Sequence, residues 1–496
     1  MCVSSWKKKS DVSCLWCTLS KASLFEPFLV KIQKLGYQQL TKIQKICIPP
    51  ALQGYDILGS SKTGSGKTLC FVIPVLQKLY SHQWCLNDAL FGIVLVPIRE
   101  LGLQIYDFFN HFSSFAFLKI LLLLGSFSKK KKKKLGQKKK KIKFTNISLT
   151  IATPGRLLQT IVDTSFFTVD ALKIFVVDEA DRILDAGFQT FFSTFLPFLP
   201  KKKQILLFSA TLNSKLKNLA RFNFRKPFFG SVREKKKKYK SAVISNPIFP
   251  EVSSNIFQYY TLVSPEKKID RLFSFLKSHF HKKTIVFFST KKQVQFFYLV
   301  FQKLRLNFNL FPIYGNLNQN KRIQNLIRFA KTKNGILFST DLLARGIDFS
   351  SIDWILQMDC PPTIETYLHR IGRTGRLSEI GKTLLFLNYF EIRFLDIIQE
   401  HQIQISSIRF NQQQIFSIQE RCSTMIKKNK TLFVLAHDAF FSYLRFVFFQ
   451  TDKKTFAVEK IIWEEMAAAF GLVVPYRKEK EKKRKENQPP ITYSYL

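Results

Sequence analysis

The segment SKTGSGKT, residues 61–68, decides the fold class of this chain. It follows a short predicted strand, Asp56 to Leu58, and precedes a predicted helix, Leu69 to Lys78. A glycine-rich loop between a strand and a helix is the setting of a P-loop, where backbone N–H groups and the helix N-terminus bind phosphate. The strict consensus has glycine at position 61 and this chain has serine, so a chance glycine loop is the alternative interpretation.

In the P-loop interpretation, each polar residue has a defined role. Lys67 contacts the β and γ phosphates of a nucleotide, and the hydroxyl of Thr68 binds Mg²⁺. The predicted nucleotide-binding residues of the loop are Ser61, Lys62, Thr63, Gly64, Ser65, Gly66, Lys67 and Thr68.

Short, continuous apolar runs recur along the chain, each followed by a polar loop and a helical stretch. The runs are Ile93–Val96, Ile174–Val177, Ile205–Phe208, Ile285–Phe288 and Ile336–Phe338. Uninterrupted apolar runs of this length indicate strands buried on both faces, as in a parallel sheet flanked by helices. Ligands of such sheets bind beyond the carboxyl ends of the strands, where the polar loops lie. The fold class is therefore α/β.

The acidic segment Asp178-Glu179-Ala180-Asp181 directly follows one of these runs. A carboxylate at a strand end can bind a metal ion, and its neighbour can polarise the attacking water. Asp178 suits the first role and Glu179 the second. An isolated acidic segment is often only a solvated turn, but the P-loop upstream favours the catalytic interpretation.

The formal net charge of +44 favours a polyanionic partner, either nucleic acid or an anionic membrane surface. A second explanation stays open. Lysine and phenylalanine (52 Phe) both have AT-rich codons, so genome composition can inflate the charge. The charge supports nucleic-acid binding without proving it, while a hydrophobic content of 46% indicates a globular chain.

Cysteine usage and hydropathy predict a soluble intracellular protein. The eight cysteines form no dense framework; Cys14 and Cys17 form a CxxC pair, but no second pair lies at zinc spacing. The first twenty residues lack the apolar core of a signal peptide. The apolar stretch Phe115–Leu124 is far shorter than the roughly 20 residues that a membrane span needs.

Shifts in composition suggest the domain boundaries. The pattern breaks from about Gly230 to Asn255, which indicates an interdomain linker, and a largely helical region follows Phe390. We expect an N-terminal segment (1–20), two sheet domains (21–230 and 255–400) joined by a linker (231–254), a helical extension (401–475) and a basic disordered tail (476–496).

Nine motifs in order give the chain a family resemblance. They are GYQQLTKIQ (36–44), the P-loop, PIREL (97–101), TPGR (153–156), DEAD (178–181), SAT (209–211), Gln319 with Arg322, TDLLARGID (340–348) and HRIGRTGR (369–376). The set, from about residue 36 to 376, resembles the DEAD-box RNA helicases. This resemblance implies two RecA-like domains in tandem that close over ATP and RNA.

The resemblance also implies roles for individual residues. Gln44 reads adenine, Asp348 holds the ribose, and Arg373 and Arg376 act as arginine fingers. The residues that couple phosphate binding to domain closure are Ser209, Thr211, Asp181 and His369. The residues expected to line the RNA backbone are Arg99, Gly125, Thr153, Gly155, Arg156, Gly315, Gln319, Arg322, Thr340 and Arg345. Contacts to phosphate and 2′-OH would favour RNA without reading its sequence.

The chain departs from the family pattern in three places. Ile98 replaces a threonine, so one hydroxyl contact to RNA is in doubt, and Ser126 replaces the second of two glycines. The aromatic residue that stacks on adenine upstream of Gln44 is ambiguous. The candidates are Phe25 and Phe28, with Leu19 as a third occupant of the position.

A lysine-dense segment, residues 129–141, admits two interpretations. It adds salt-sensitive phosphate affinity near the RNA-binding face, or it is a solvated helix in which lysine has replaced other polar residues. The second interpretation is favoured.

Further details resemble nucleolar DEAD-box proteins of early small-subunit ribosome assembly, which free small nucleolar RNA from pre-ribosomal RNA. These details include Lys62, Gln83-Trp84, Asp353-Trp354 and the region after Phe390. The expected partners are pre-rRNA, small nucleolar RNA and pre-ribosomal proteins, with the chain a monomer in the nucleolus and not at a membrane. The compact, Lys- and Phe-rich chain also suits an AT-rich genome such as that of a relict endosymbiont nucleus.

Other functional classes stay open at this point. The chain is alternatively an ATP-gated RNA clamp or assembly platform, an RNA helicase of translation initiation, or an inactive RNA-binding relic. The intact Lys67, Glu179 and Arg376 argue against the relic. DNA unwinding is disfavoured because the motif set is of the RNA type.

Overall fold

The computed structural model of the chain describes residues 25–472, with internal gaps. The gaps are residues 38, 62–63, 85–88, 113–117, 125–146, 165–166, 186, 211–223, 225–226, 232–254, 305–308, 342–348, 350, 376–378, 412 and 414. The chain divides into two compact units, Met1–Glu251 and Val252–Leu496. This division falls inside the predicted linker, which, apart from Ser231, lies outside the described residues.

In the first unit, helices and strands alternate along the described chain. The helices are α1 (Glu26–Lys34), α2 (Lys42–Leu52), α3 (Lys67–Ser81), α4 (Arg99–Asn110), α5 (Pro154–Asp163), α6 (Ala180–Asp185) and α7 (Gln189–Phe195). The strands are β1 (Ile57–Ser60), β2 (Gly92–Leu95), β3 (Ile120–Leu123), β4 (Leu149–Ala152), β5 (Ile174–Val177), β6 (Gln204–Ser209) and β7 (Phe228–Ser231).

The seven strands of the first unit form one parallel sheet in the order β3-β4-β2-β5-β6-β1-β7. All residues of β2, β4, β5 and β6 are buried, because helices cover both faces of the sheet. The carboxyl ends of neighbouring strands are in register: Leu95 pairs with Val177, and Ser60 pairs with Ser209. Loops that follow different strands are thereby brought to one edge.

The second unit repeats this plan. Its strands are β8 (Ile256–Leu262), β9 (Lys283–Phe287), β10 (Leu310–Ile313), β11 (Gly335–Ser339), β12 (Trp354–Gln357), β13 (Gly381–Leu387) and β14 (Ser406–Ser407). They form a parallel sheet in the order β10-β11-β9-β12-β13-β8-β14. The helices of the sheet domain are α8 (Lys268–Ser278), α9 (Lys291–Lys303), α10 (Gln319–Lys331), α11 (Ile364–Ile371) and α12 (Arg393–Glu400).

The C-terminal extension packs onto the second unit. It contains α13 (Gln419–Lys428), α14 (Lys430–Phe448) and α15 (Trp463–Ala468). Asp270 of α8 caps α13, because its Oδ1 accepts hydrogen bonds from the backbone N–H of Ile418 (2.7 Å) and Gln419 (3.0 Å). The extension therefore begins its helices on a side chain of the preceding sheet domain.

Helix α14 is long and apolar enough to cross a membrane by length and composition alone. Its contacts are those of a helix packed on a domain. Leu432, Ala436, Ala439 and Tyr443 are buried, and Asp438 forms a 2.6 Å ion pair with Lys292 of α9. Core helices of globular domains pass the same hydropathy criterion.

The structure confirms the predicted fold class of two parallel-sheet domains in tandem with a helical C-terminal region. The five apolar runs correspond to β2, β5, β6, β9 and β11, with Val96 and Phe288 one residue beyond the ends of β2 and β9. The predicted helix after the P-loop is longer than expected and begins at Lys67. The helical region starts later than residue 401: residues 401–418 contain the short strand β14, and α13 begins only at Gln419.

Candidate active site

The glycine-rich loop passes from β1 into α3 with a left-handed backbone. Gly64 has φ +75° and Gly66, the N-cap of α3, has φ +86°, a region that residues with a Cβ rarely occupy. A Cβ at Gly66 would lie 2.5 Å from Nε2 of Gln44. Gly66 is therefore required both by its backbone conformation and by its neighbour.

Lys67 and the two serines of the loop contact one another. The buried Lys67 donates from Nζ to the carbonyl oxygen of Ser61 at 2.5 Å, and the hydroxyls of Ser61 and Ser65 are 2.6 Å apart. Ser61 N donates in turn to the carbonyl of Ser209 at 3.3 Å, which ties the loop to β6. Thr68 follows Lys67 on the first turn of α3.

Gln44 connects the N-terminal motif to this loop. Its Oε1 accepts the backbone N–H of Thr41 (2.8 Å), and its Nε2 donates to the carbonyl of Gly66 (2.9 Å). The first of these bonds is part of a capping box at the start of α2. The side chain predicted to read adenine is thus buried against the phosphate loop.

The acidic segment begins directly after β5. Oδ1 of Asp178 accepts the backbone N–H of Glu179 at 2.9 Å, and Glu179 has φ +48°, a strained conformation for a residue with a side chain. Both side chains are buried. Burial, and then the charge of Glu179, raise the pKa of Asp178 to about 7, against the opposing effect of Lys67. The segment concentrates negative charge beside the lysine of the loop.

The donor set fits a hard divalent cation. Oε2 of Glu179 is buried and has no hydrogen-bond partner among the described residues, and Asp178 is crowded by a like charge. A Mg²⁺ ion takes oxygen ligands and usually only one or two from protein, the rest being water and phosphate. The part of the chain that the structure describes contains no cluster of three or more His, Cys, Asp or Glu residues that would hold a metal by itself. Thr68 and Asp178 therefore fit a site in which the protein supplies one or two Mg²⁺ ligands and a bound nucleotide supplies others.

Two predicted coupling residues of the first unit lie at or just after the carboxyl ends of neighbouring strands of its sheet. Ser209 ends β6, is fully buried, and pairs in register with Ser60 at the start of the P-loop. Asp181 lies on the first turn of α6 and accepts the backbone N–H of Arg182 through Oδ1 at 2.9 Å.

The RNA-binding candidates of the first unit lie at the other half of the same sheet edge. Leu123, Ala152 and Leu95, the last residues of β3, β4 and β2, are in register. Thr153 follows β4 and starts α5, where Gly155 is exposed and Arg156 half-buried, and Arg99 starts α4. An added Cβ at Gly155 would meet only a ring atom of Phe188 at 4.0 Å, so its surface is open to a ligand.

The second unit presents its RNA-binding candidates in the same way. Gly315 follows β10 and is exposed, Thr340 follows the neighbouring β11, and Gln319 starts α10. Arg322, one turn further along α10, is buried. Ile313 and Ser339 pair in register, so the loops after β10 and β11 are neighbours.

Arg370 of the last motif forms an ion pair that the sequence did not predict. It is fully buried and pairs with Asp341, and Nη1 donates to the carbonyl of Asp359 at 3.0 Å. The sequence feature that points to this pair is Asp341, an acidic residue close after a predicted strand, as Asp178 is. His369 is buried, and Arg373 is buried with its Nε donating to the carbonyl of His369 at 3.3 Å.

Several predicted site residues lie outside the described residues. They are Lys62, Thr63, Gly125, Thr211, Arg345, Asp348 and Arg376. The lysine-dense segment and the Cys14/Cys17 pair also lie there, as does Leu19.

One candidate for the adenine-stacking aromatic is excluded by the structure. Phe28 is 1% exposed and packs edge-on against Phe25 and Phe112, so it belongs to the core. Phe25 stacks on Tyr80 with the ring centroids 3.8 Å apart, and its backbone N–H donates to Oε1 of Gln77. Phe25 remains the candidate within the described chain.

Comparison with known families agrees with this arrangement. The DEAD/DEAH box helicase family matches residues 41–219, and the helicase conserved C-terminal domain matches residues 267–378. The C-terminal extension of SPB4-like ATP-dependent rRNA helicases matches residues 429–475.

Two similar proteins cover almost the whole chain. The ATP-dependent RNA helicase dbp4 of Aspergillus fumigatus is 36% identical over 484 residues, which is 97% of this chain and 59% of that protein. The dbp4 of Schizosaccharomyces pombe is 36% identical over 449 residues, 90% of this chain and 58% of that protein. The chain therefore spans less than two thirds of the length of these relatives.

Solved structures show the same fold. Mss116p bound to ssRNA and AMP-PNP matches with a TM-score of 0.74 at 24% identity, over 96% of each chain. S. cerevisiae Dbp5 bound to RNA and ADP BeF3 matches with a TM-score of 0.64 at 24% identity, over 79% of this chain and 95% of that one. With the described motif residues on two parallel-sheet units, and both helicase families matched in order, this chain belongs to the DEAD-box helicases and carries an SPB4-like C-terminal extension.

Proposed function

We propose that this chain is an RNA-dependent ATPase that locally unwinds or remodels RNA duplexes. One observation carries the proposal: a single sheet edge in the first unit holds both sets of residues. Among the described residues, those that follow β5 and β1 include the carboxylates and the phosphate-binding residues, and those that follow β2 and β4 include the RNA candidates. β2 and β5 are adjacent strands, so the two halves share a border where Asp178 N donates to Leu95 O at 3.0 Å.

The chemistry at the nucleotide half follows from the side chains. Lys67 neutralises the β and γ phosphates of ATP. Gln44 reads the adenine and donates a hydrogen bond to the carbonyl of Gly66. Mg²⁺, held by Thr68 and Asp178, supplies charge neutralisation of the phosphates when bound. Glu179, with one carboxylate oxygen uncommitted among the described residues, orients and deprotonates the attacking water.

The second unit completes the reaction in this proposal. Arg373 and Arg376 stabilise the charge that develops during phosphoryl transfer, and Asp348 holds the ribose. The open glycines Gly155 and Gly315 admit the RNA backbone, and the nearby arginines neutralise its phosphates. Preference for RNA would come from contacts to the 2′-OH and not from base reading. ATP binding favours the closed state, and hydrolysis releases it.

The substrate that we propose is pre-ribosomal RNA paired with small nucleolar RNA, remodelled in the nucleolus by a monomer that works among pre-ribosomal proteins. The SPB4-like extension, from a family described as rRNA helicases, supports a ribosomal RNA substrate, and the similarity to the RNA helicase dbp4 supports an RNA substrate in general. The high positive charge is consistent with it.

The decisive experiment compares ATP turnover of the full chain with RNA and with DNA of equal length and sequence, alongside separation of a short labelled RNA duplex. We expect RNA to stimulate turnover and duplex separation to require ATP. Equal stimulation by DNA would overturn the proposal. RNA-stimulated turnover with ATP-dependent RNA retention, but without strand separation, would instead identify an ATP-gated clamp.

A separate experiment addresses the RNA. Crosslinking in the native cell, followed by sequencing of the bound RNA, should recover pre-rRNA and small nucleolar RNA. Recovery of messenger RNA 5′ regions would contradict the substrate class and point to translation initiation.

A further inference from the structure

A continuous chain of hydrogen bonds leads from the C-terminal extension into the sheet domain of the second unit. It begins at Ser442 of α14, whose Oγ lies 2.9 Å from Oγ1 of Thr290 and 3.0 Å from the carbonyl oxygen of Ala439, so its one proton is shared between these two acceptors. Thr290 Oγ1 donates to Oε1 of Gln293 (3.0 Å), and Nε2 of Gln293 donates to Oδ2 of Asp359 (3.0 Å). Gln293 and Asp359 are buried, so the bond between them is shielded from water.

The same chain ends on Arg370. Asp359 accepts the backbone N–H of Ser289 at 2.9 Å through its carboxylate and accepts Nη1 of Arg370 through its main-chain carbonyl. Arg370 lies on α11, in the motif that also contains Arg373. The backbone N–H of Arg373 donates to the carbonyl of Arg370 at 3.2 Å, so displacement of Arg370 also displaces the turn that carries Arg373.

A second contact lies one residue further along α14. The hydroxyl of Tyr443 donates to Oε1 of Glu391 at 3.3 Å and accepts from Nδ2 of Asn388 at 3.4 Å. Oε2 of Glu391 accepts the backbone N–H of Asn388 at 2.8 Å. All three residues are buried. Lys268, whose charge acts on Glu391, donates from Nζ to the carbonyl of Met358 at 3.0 Å, directly before Asp359, so this group lies beside the first chain.

We propose that Ser442 and Tyr443 are positioning residues, through which the C-terminal extension sets the orientation of Arg370 and thereby of the arginine at position 373. Apolar packing alone would attach α14 to α9 without a polar path to this motif. Buried hydrogen bonds favour one arrangement over others, because a shift that breaks one of them leaves a polar atom without that partner. This inference rests on the proposed ATPase function.

The test uses the full chain with four variants: Ser442→Ala, Tyr443→Phe, Ser442→Thr and Ser423→Ala. Ser442→Thr keeps the hydroxyl. Ser423→Ala is the matched control, because Ser423 Oγ donates to the carbonyl of Gln419 within its own helix α13. The measurements are kcat and the KM for ATP at saturating RNA, with the thermal unfolding midpoint recorded in parallel.

We expect Ser442→Ala and Tyr443→Phe to lower kcat by about two- to thirtyfold, the usual range for coupling through such a network, with the KM for ATP unchanged. Ser442→Thr and Ser423→Ala should keep the unaltered kcat. A kcat in Ser442→Ala equal to that of Ser423→Ala would overturn the inference, even if Tyr443→Phe unfolds. Absence of RNA-stimulated turnover in the unaltered chain would instead overturn the proposed function itself.

Discussion

The guanidinium of Arg370 holds the carboxylate of Asp341 through two parallel hydrogen bonds, Nε to Oδ1 at 2.5 Å and Nη2 to Oδ2 at 2.9 Å. The Arg370 side chain is fully buried, and that of Asp341 is one-third exposed. A guanidinium cannot lose its proton in a protein, so its charge must be balanced where it lies. Asp341 supplies that balance from the loop after β11.

Removing the negative charge of Asp341 should destabilise the second unit. Asp341→Asn is expected to lower the free energy of unfolding by about 3 kcal/mol, because it leaves a buried charge uncompensated. Denaturant unfolding of the full chain measures the change. The control is Lys282→Met, which removes an ion pair with Asp353 that is about 40% exposed on each side and should cost less than about 1 kcal/mol. Equal effects of the two changes would contradict the assigned role of Asp341.

Gly66→Ala should impair nucleotide binding. The new Cβ would lie 2.5 Å from Nε2 of Gln44, at a φ of +86°, and would push apart the loop and the adenine-reading side chain. We expect ATP affinity to fall by about tenfold or more, equivalent to ~1.4 kcal/mol. Titration with a fluorescent ATP analogue measures it.

The control for that change is Gly54→Ala. Gly54 has a similar φ of +91°, but no atom of the described residues lies within 4 Å of the added Cβ. The variant carries the backbone strain, about 1–2 kcal/mol, without the clash, so its ATP affinity should stay unaltered. A loss of affinity equal to that of Gly66→Ala would mean that strain, and not the contact with Gln44, is responsible.

Glu179→Gln should separate binding from turnover. The amide keeps the shape of the side chain but cannot accept a proton from water, so kcat should fall by about 10²–10⁴-fold. ATP-dependent RNA binding should persist, because Lys67 and Thr68 are untouched. Turnover is measured by phosphate release and binding by RNA fluorescence anisotropy. Glu420→Gln, on the exposed side of α13, is the control. Undiminished phosphate release in Glu179→Gln would remove this carboxylate from the mechanism.

The stability of the second unit should depend on the ionisation of Glu391. Burial, with a further contribution from Asp359, raises the pKa of Glu391 above its ordinary value of 4.5, against the opposing effects of Lys268, the Asn388 N–H and Tyr443. Cys360 is a further titratable group that interacts with Glu391. The folded state therefore keeps a proton that the unfolded state has released, and stability falls as the pH rises from 4.5 through the raised pKa.

Unfolding as a function of pH checks this dependence. Glu391→Gln cannot ionise, so the difference in unfolding free energy between variant and unaltered chain should shift in favour of the variant as the pH rises through that window. Glu400→Gln, at the exposed end of α12, should leave the pH profile as it is. A constant difference between Glu391→Gln and the unaltered chain at all pH values would contradict the raised pKa.

The sequence predicts most of the nucleotide half of the site, because the required signals are local. The apolar run Ile174–Val177 is a strand with the predicted bounds, and its carboxyl end places Asp178 where parallel-sheet ligands bind. Gly64 and Gly66 adopt the left-handed conformations that only glycine adopts readily. Such features depend on a few adjacent residues.

Features that depend on distant partners could not be predicted in the same way. Asp341 and Arg370 are 29 residues apart, and Ser442 and Thr290 are 152 apart. Nothing in either local segment indicates the pairing. Phe28 shows a different reason: in a chain with 52 phenylalanines, spacing alone cannot separate a core ring from one that faces a ligand.

The two-residue strand β14 has a consequence for any shortened form of this protein. It covers β8, whose Tyr260 carbonyl accepts the N–H of Ile408 at 2.9 Å, and β8 also carries the exposed Phe257. A fragment that ends at residue 400 would expose the β8 edge of the sheet. It would also remove the backbone N–H groups of Ile418 and Gln419 that Asp270 caps. Exposed sheet edges pair with strands of other molecules, so such a fragment should aggregate before it could hydrolyse ATP.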